Sequence, residues 1–282
     1  MNAGGPRQPA PALDVGVALG PDGRSRLARR RARWPVSLGR AYPGAPGEPA
    51  VLIPQSAGAG LLAGDVLRQR IEVGAGAGLR LVAAGATPVL APGAGSAAAT
   101  AASETSATLG EGALLVLAAE PHVLLPGARL ALSLHAVVPE SATLLAFDGV
   151  CGSDGPPGPW RAETVLTRPD GETLFEDRQA AGTTALAAAA RLPGRWGAYG
   201  TVIAVAPPAA RAALSEALPE GAVDLARGAW AAAATLRGGI GVGIRIAARD
   251  GGALRAAGRR ALGLLATALA LPRDRSGAGS PA

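Results

Sequence analysis

The sequence predicts a mainly β protein with a few helices in its C-terminal third, and three observations carry that expectation. Turn signals recur between short apolar runs: GAGAG at 74–78, PGAG at 92–95, GEG at 110–112, PG at 126–127, PES at 139–141 and RPDG at 168–171. Such regular punctuation is the mark of strands joined by turns. Within the clearest runs, apolar and polar residues alternate with a period of two, which buries one face and wets the other. Helical spacing emerges only from residue 208 onward.

Taken in order, the apolar run from Ala50 to Ile53 reads as a strand and leads into a loop containing Gly58, Gly60 and Gly64. Across 66–73, Leu67, Ile71 and Val73 oppose Arg68, Arg70 and Glu72. From Arg129 to His135, Leu130, Leu132 and Leu134 share one face, while Arg129, Ser133 and His135 share the other. RPDG separates WRAETVLT from ETLFEDRQA, with Pro and Gly where a hairpin turn wants them. Pro208–Leu218 opens with Pro at a helix start and continues in good helix formers. GIGVGIRIAARDG then reads as a strand. Over Ala253–Leu271, Leu254, Ala261, Leu262, Leu265 and Leu269 line one helical face, with Arg255, Arg259 and Arg260 mostly off it. Residues 12–272 read as a single β-rich domain. The Gly-, Pro- and Ser-rich ends, 1–11 and 273–282, read as disordered tails.

Composition limits the function classes. Hydrophobic residues at 49% supply a core for 282 residues, but aromatics at 3% mean that it is built from small side chains. The net charge of +6 would ordinarily raise nucleic acid or an acidic partner. Every basic residue is Arg, however, which points to coding bias and weakens that inference. A single Cys excludes an internal disulfide framework, and two His cannot complete a structural zinc site without carboxylates. Residues 1–10 show neither a basic start nor an apolar stretch of a secretory signal. The apolar run from Ala261 to Pro272 is shorter than the roughly 20 residues a bilayer requires. A reducing, cytoplasmic setting without membrane association fits these features.

Gly58, Gly60 and Gly64 raise a dinucleotide cradle, and with it an NAD(P) oxidoreductase. That fingerprint needs a strand before it, a helix opening inside it and a carboxylate about 20 residues later. The strand is present. The residues after Gly64 alternate with a period of two, and no Asp or Glu stands between Glu72 and Glu104. A loop between strands is the better reading.

The order of the motifs resembles the urease accessory proteins of the UreD (or UreH) family. IPQSAGAGLLAGDVLRQRIEVGAGAGLRLVAAGAT, Ile53 to Thr87, is similar to that family's apolar strand, Gly-rich loop ending in Gly64-Asp65, second Gly turn and closing Gly85-Ala86-Thr87 stretch. GALLVLAAEPHVLLPGARL carries Glu120, ATLLAFDGVCGSD carries Asp148 and ETLFEDRQA carries the Asp177-Arg178 pair, each resembling a family segment. Departures include Pro88, where the family often has a basic residue, and Phe147-Asp148 where it often has Trp-Glu. The resemblance implies sheets wound in a helical, solenoid-like arrangement. It implies a non-enzymatic scaffold that binds apo-urease and a UreF-type accessory protein, which in turn docks a nickel-carrying GTPase of the UreG type. Nickel is then a transferred ion rather than a tightly bound cofactor. Consistent with GTP chemistry lying in a partner, the chain has no G-x-x-x-x-G-K-[ST] loop.

A passage for Ni²⁺ must hold the ion weakly, because nitrogen and sulfur ligands in a preformed cage would trap it. Scattered carboxylates suit transit, and Asp65, Glu120, Asp148 and Asp177 interrupt apolar or small-residue runs at motif positions. Each has a plainer alternative: Asp65 as a turn cap, Glu120 as a solvated loop acid before Pro121, Asp177 as the partner of an arginine. Asp148, after ATLLAF, is the strongest candidate, because an acid buried there needs a partner. Cys151 is a soft ligand nearby or an inert small hydrophobe. His122 and His135 could meet across a hairpin, or His135 could simply be exposed on the wet face. RLARRRARW, Arg26 to Trp34, supports an alternative function as a basic binding module for nucleic acid. A solvated strand or a protein-partner surface is preferred for it.

Overall fold

The computed structural model describes residues 10–93 and 99–271. It begins with β1 (Leu13–Leu19), β2 (Ser25–Ala32), β3 (Val36–Leu38), β4 (Ala50–Leu52), β5 (Pro54–Ser56), β6 (Val66–Val73) and β7 (Gly78–Val82). The middle of the chain forms β8 (Thr87–Val89), β9 (Ala101–Leu109), β10 (Leu114–Ala118), β11 (His122–Leu124), β12 (Leu130–Val137), β13 (Thr143–Gly152) and β14 (Trp160–Thr167). After β15 (Thr173–Ala181) come α1 (Thr183–Ala189), β16 (Ala198–Val205), α2 (Pro208–Ala217), β17 (Gly221–Val223), β18 (Ala229–Thr235), β19 (Gly241–Ala248) and α3 (Gly251–Ala268). The mainly β expectation and the C-terminal helix are met.

Two large sheets contain most of these strands. A seven-stranded sheet runs β15, β14, β12, β9, β6, β1, β2, and a ten-stranded sheet runs β17, β18, β19, β16, β13, β10, β7, β4 with β11 and β8 attached beside β13. Strands β6, β9, β12 and β14 are mutually parallel in the first sheet. Strands β4, β7, β10 and β13 are parallel in the second. A parallel neighbour requires a crossover. Here each crossover runs through the opposite sheet, so the chain passes from β6 to β7, from β9 to β10 and from β12 to β13 by changing sheets.

The turns that make these passages are the ones the sequence punctuates. Ala77 N donates to Gly74 O, Ala113 N to Gly110 O and Ala142 N to Pro139 O, three equivalent tight turns. They also bond to one another, Gly76 N to Glu111 O at 2.8 Å and Gly112 N to Ser141 Oγ at 2.9 Å. GAGAG, GEG and PES thus recur in the sequence because the turns stack in space.

Three cores result. Between the sheets, Leu13, Val15, Ile71, Leu79, Leu115, Leu144 and Leu166 are buried together. On the far face of the ten-stranded sheet, Leu145, Phe147, Ile244 and Leu214 pack with Leu254 and Leu265 of α3. Gly258 lets that helix lie close, since a Cβ there would stand 2.7 Å from the Phe147 ring. A smaller core of Leu61, Val89, Leu124, Leu130 and Val150 closes the other end of the sandwich.

Some expectations shift. Helix α1 begins at Thr183, ahead of the C-terminal third, and buries only Leu186; its Ala-rich sequence has helix propensity but little amphipathic signal. The last helix starts at Gly251 instead of Ala253 because Asp250 caps it, accepting from Ala253 N at 2.8 Å. Residues 1–9, 94–98 and 272–282 lie outside the described residues, and with them nearly all of both predicted tails and the end of PGAG. Among the described residues, no helix is long and apolar enough to cross a membrane.

Candidate functional site

A cavity of about 600 Å³ opens between the two sheets, between the inter-sheet core and the smaller end core. It exists because the inward positions change character along each strand. On the seven-stranded sheet the row Ile71, Ala107, Ala136, Leu166 is apolar. Two residues toward the strand N-termini the row becomes Gln69, Thr105, Leu134, Thr164, with Asp177 beside Thr164 on β15. On the ten-stranded sheet, Ala146 is followed by Asp148 on β13, and Ile203 is preceded by Thr201 on β16. Hydroxyls, an amide and carboxylates cannot interdigitate as aliphatic side chains do, so a polar, roomy layer remains.

Asp148 and Thr201 face each other in register on adjacent strands. Burial pushes the Asp148 carboxyl up to about 6; the Arg245 guanidinium opposes that shift, and the nearby Asp177 charge adds to it. The neighbouring network is continuous. Arg245 pairs with Asp177 Oδ1, its other guanidinium nitrogen donates to Thr201 Oγ1 at 2.8 Å, and Gln179 Nε2 donates to Asp177 Oδ2 at 2.9 Å and Thr201 Oγ1 at 3.0 Å. Two of the four carboxylates singled out in the sequence, on strands of different sheets, are therefore linked through Thr201 and Arg245, Asp148 alone of the two lining the cavity.

The other two stand apart. Asp65 caps a turn, with Leu62 N donating to its Oδ2 at 2.8 Å, outside the cavity wall. Glu120 is a cavity-lining residue in the break between β10 and β11, and it is not a solvated loop acid: it is 8% exposed and bonds Arg255 and Arg259 of α3. His122 also lines the cavity; burial holds its imidazole near a pKa of about 4, and its buried Nδ1 has no protein partner. It does not meet His135, which lies on the outer face of the seven-stranded sheet beside Glu163 at 3.5 Å. Cys151 packs on the helix-facing side of β13, opposite to Asp148, so it is no co-ligand. Among the described residues, no group of three His, Cys, Asp or Glu is placed to hold a metal ion.

Two glycine-rich stretches form the mouth. Gly58, Ala59 and Leu61 line it together with Gly85, Ala86, Thr87 and Pro88. Leu61 N donates to Pro88 O at 2.9 Å and Leu90 N to Leu61 O at 2.8 Å, which ties the loop to the facing stretch. Strand β6 follows it, not a helix. A dinucleotide cradle is therefore not formed. The arginine stretch is edge strand β2, and much of it is spent internally. Arg29 bonds Asp14 and Glu72, Arg26 bonds Asp22, and Arg30 bonds the Leu38 and Gly39 carbonyls.

Sequence reasoning missed Arg245, Gln179, Thr201 and the cavity position of His122. The available signal was a polar residue at an inward position of an apolar strand, as in GIGVGIRIAA and YGTVIAV.

Comparison with known proteins places this architecture. A family model described as UreD urease accessory protein matches residues 10–276. The urease accessory protein UreD 1 of a Bradyrhizobium strain is 32% identical over 243 residues, 83% of each chain. That of Methylorubrum extorquens is 31% identical over 270 residues, covering 89% of this chain and 90% of its own length. The UreD of Mycolicibacterium smegmatis is 32% identical over 235 residues, 81% of each chain. With a match that spans nearly the whole described structure, the chain belongs to the UreD family of urease accessory proteins.

Proposed function

We propose that this protein is a non-catalytic scaffold in urease maturation, and that Ni²⁺ destined for the urease active site passes through its inter-sheet cavity. Membership of the family supports the maturation role. The observation that carries the finer reading is Asp148 in the wall of a polar interior cavity, with the Asp177 charge acting on it and, among the described residues, no group of three strong ligands. Two carboxylates with hydroxyl and amide oxygens bind a borderline cation weakly, which suits passage; a nitrogen and sulfur cage would retain it. On this reading the partners are apo-urease, a UreF-type accessory protein and, through the complex, a UreG-type GTPase that supplies the ion. The setting is cytoplasmic, and nucleic acid is not a partner.

The test is co-expression of urease subunits and the other accessory proteins with and without this chain. Omitting it should leave urease nickel-poor and inactive; normal nickel content without it would end the proposal. Asp148→Ala should preserve complex formation and lower nickel loading of urease several-fold. Unchanged loading would remove Asp148 from the path.

A further inference from the structure

Arg245 occupies the position an incoming cation would take. Its guanidinium spans Asp177 on β15 and Thr201 on β16, reaching across from β19, and its charge acts on Asp148. Asp177 is shielded, its side chain 13% exposed, whereas that of Arg245 is 46% exposed. The arginine therefore has solvent to swing into, and the aspartate does not. Thr201 Oγ1 and Gln179 are bonded to each other directly, a contact that does not run through the guanidinium. A guanidinium and a divalent cation compete for the same carboxylate oxygens, and each repels the other.

We propose that Arg245 is a resident counter-cation: Ni²⁺ reaches the Asp177 carboxylate, beside the Thr201 hydroxyl that faces Asp148, only by exchange with the guanidinium, and the returning guanidinium expels it. Arg245 is thus a positioning and specificity residue that keeps the site from becoming a trap. This rests on the nickel-passage reading above. It follows that removing the arginine makes nickel binding tighter and delivery poorer, the reverse of what loss of an ordinary ligand would do.

Equilibrium dialysis of the purified chain against Ni²⁺ alone measures this directly. Arg245→Leu, which offers no ligand atom, and Arg245→Gln, which keeps hydrogen bonding without charge, should each bind Ni²⁺ roughly tenfold more tightly than the wild type, the scale of losing one repelling charge at a partly screened site. Adding Asp177→Asn to Arg245→Leu should return the affinity to the wild-type level. In co-expression, Arg245→Leu should co-purify with retained nickel while urease is under-loaded. Unchanged Ni²⁺ affinity in folded Arg245→Leu and Arg245→Gln would overturn the proposal. Failure of both variants to fold, seen by circular dichroism, would also overturn it by assigning Arg245 to stability alone. These outcomes are separate from the delivery role, which falls only if urease loads normally without the chain.

Discussion

At the scale of single residues, Asp148 and His122 pull the stability of the fold in opposite directions as pH falls. Asp148 is raised from 3.8 to about 6, so the native state binds its proton more tightly than the unfolded chain does, and acidification through that window stabilises. His122 is lowered from 6.5 to about 4, so the unfolded chain takes up the proton first, and acidification destabilises. Each shift corresponds to about 1–2 kcal/mol between pH 7 and pH 5, and in the wild type the two largely offset. Asp148→Asn should therefore lose stability on going from pH 7 to pH 5 more steeply than the wild type, and His122→Gln less steeply. Urea denaturation at the two pH values separates them; parallel behaviour of all three proteins would contradict the desolvation of both groups. The same physics bears on function. At neutral pH the site presents an ionised carboxylate and a neutral imidazole, which on the nickel-passage reading proposed above are the forms the cation meets.

At the scale of elements, Glu120 holds α3 to the ten-stranded sheet. Its carboxylate accepts from Arg255 Nε at 2.9 Å and Arg259 at 2.6 Å, from the break between β10 and β11 that also borders the cavity. The two arginines are half-exposed and the glutamate is nearly buried. Glu120→Gln should then cost about 1–2 kcal/mol, below the value for a fully buried pair, because the arginines recover water. Hydrogen exchange should show the loss concentrated in α3, which stays docked through Leu254, Ala257, Ala261 and Leu265; a uniform loss across both sheets would refute the local tie. Elements of this kind were unevenly legible. Strands β6 and β12 could be read because each keeps one wet face and so alternates. Strands β10 and β13 lie between the other sheet and the helices, so they show only as apolar runs, silent about neighbours. Asp148 stood out for the same reason, as an acid inside a doubly covered strand. Its surroundings did not, since Asp177 and Arg245 are 68 residues apart and meet only when the sheets pack.

At the scale of the whole molecule, the cavity is closed by contacts between successive passes of the chain, and its mouth depends on backbone geometry more than on side chains. Gly60 sits at φ 140°, where a Cβ would stand 2.3 Å from Pro88 O, the same carbonyl that accepts from Leu61 N. Nothing lies within 4 Å of a Cβ placed on Gly85, although it belongs to the facing stretch of the mouth and has an ordinary φ. Composition and motif treat these glycines alike; the fold does not. Gly60→Ala must give up either the loop's packing or its bond to Pro88, so it should destabilise by about 2 kcal/mol or more. Gly85→Ala should stay within about 0.5 kcal/mol of the wild type. If the mouth is the entrance for the transferred ion, Gly60→Ala should also lower nickel loading of urease at temperatures where the variant remains folded, while Gly85→Ala loads normally. Equal stability of the two variants in urea would show that the loop relaxes freely and that the mouth is not fixed by the Gly60–Pro88 contact.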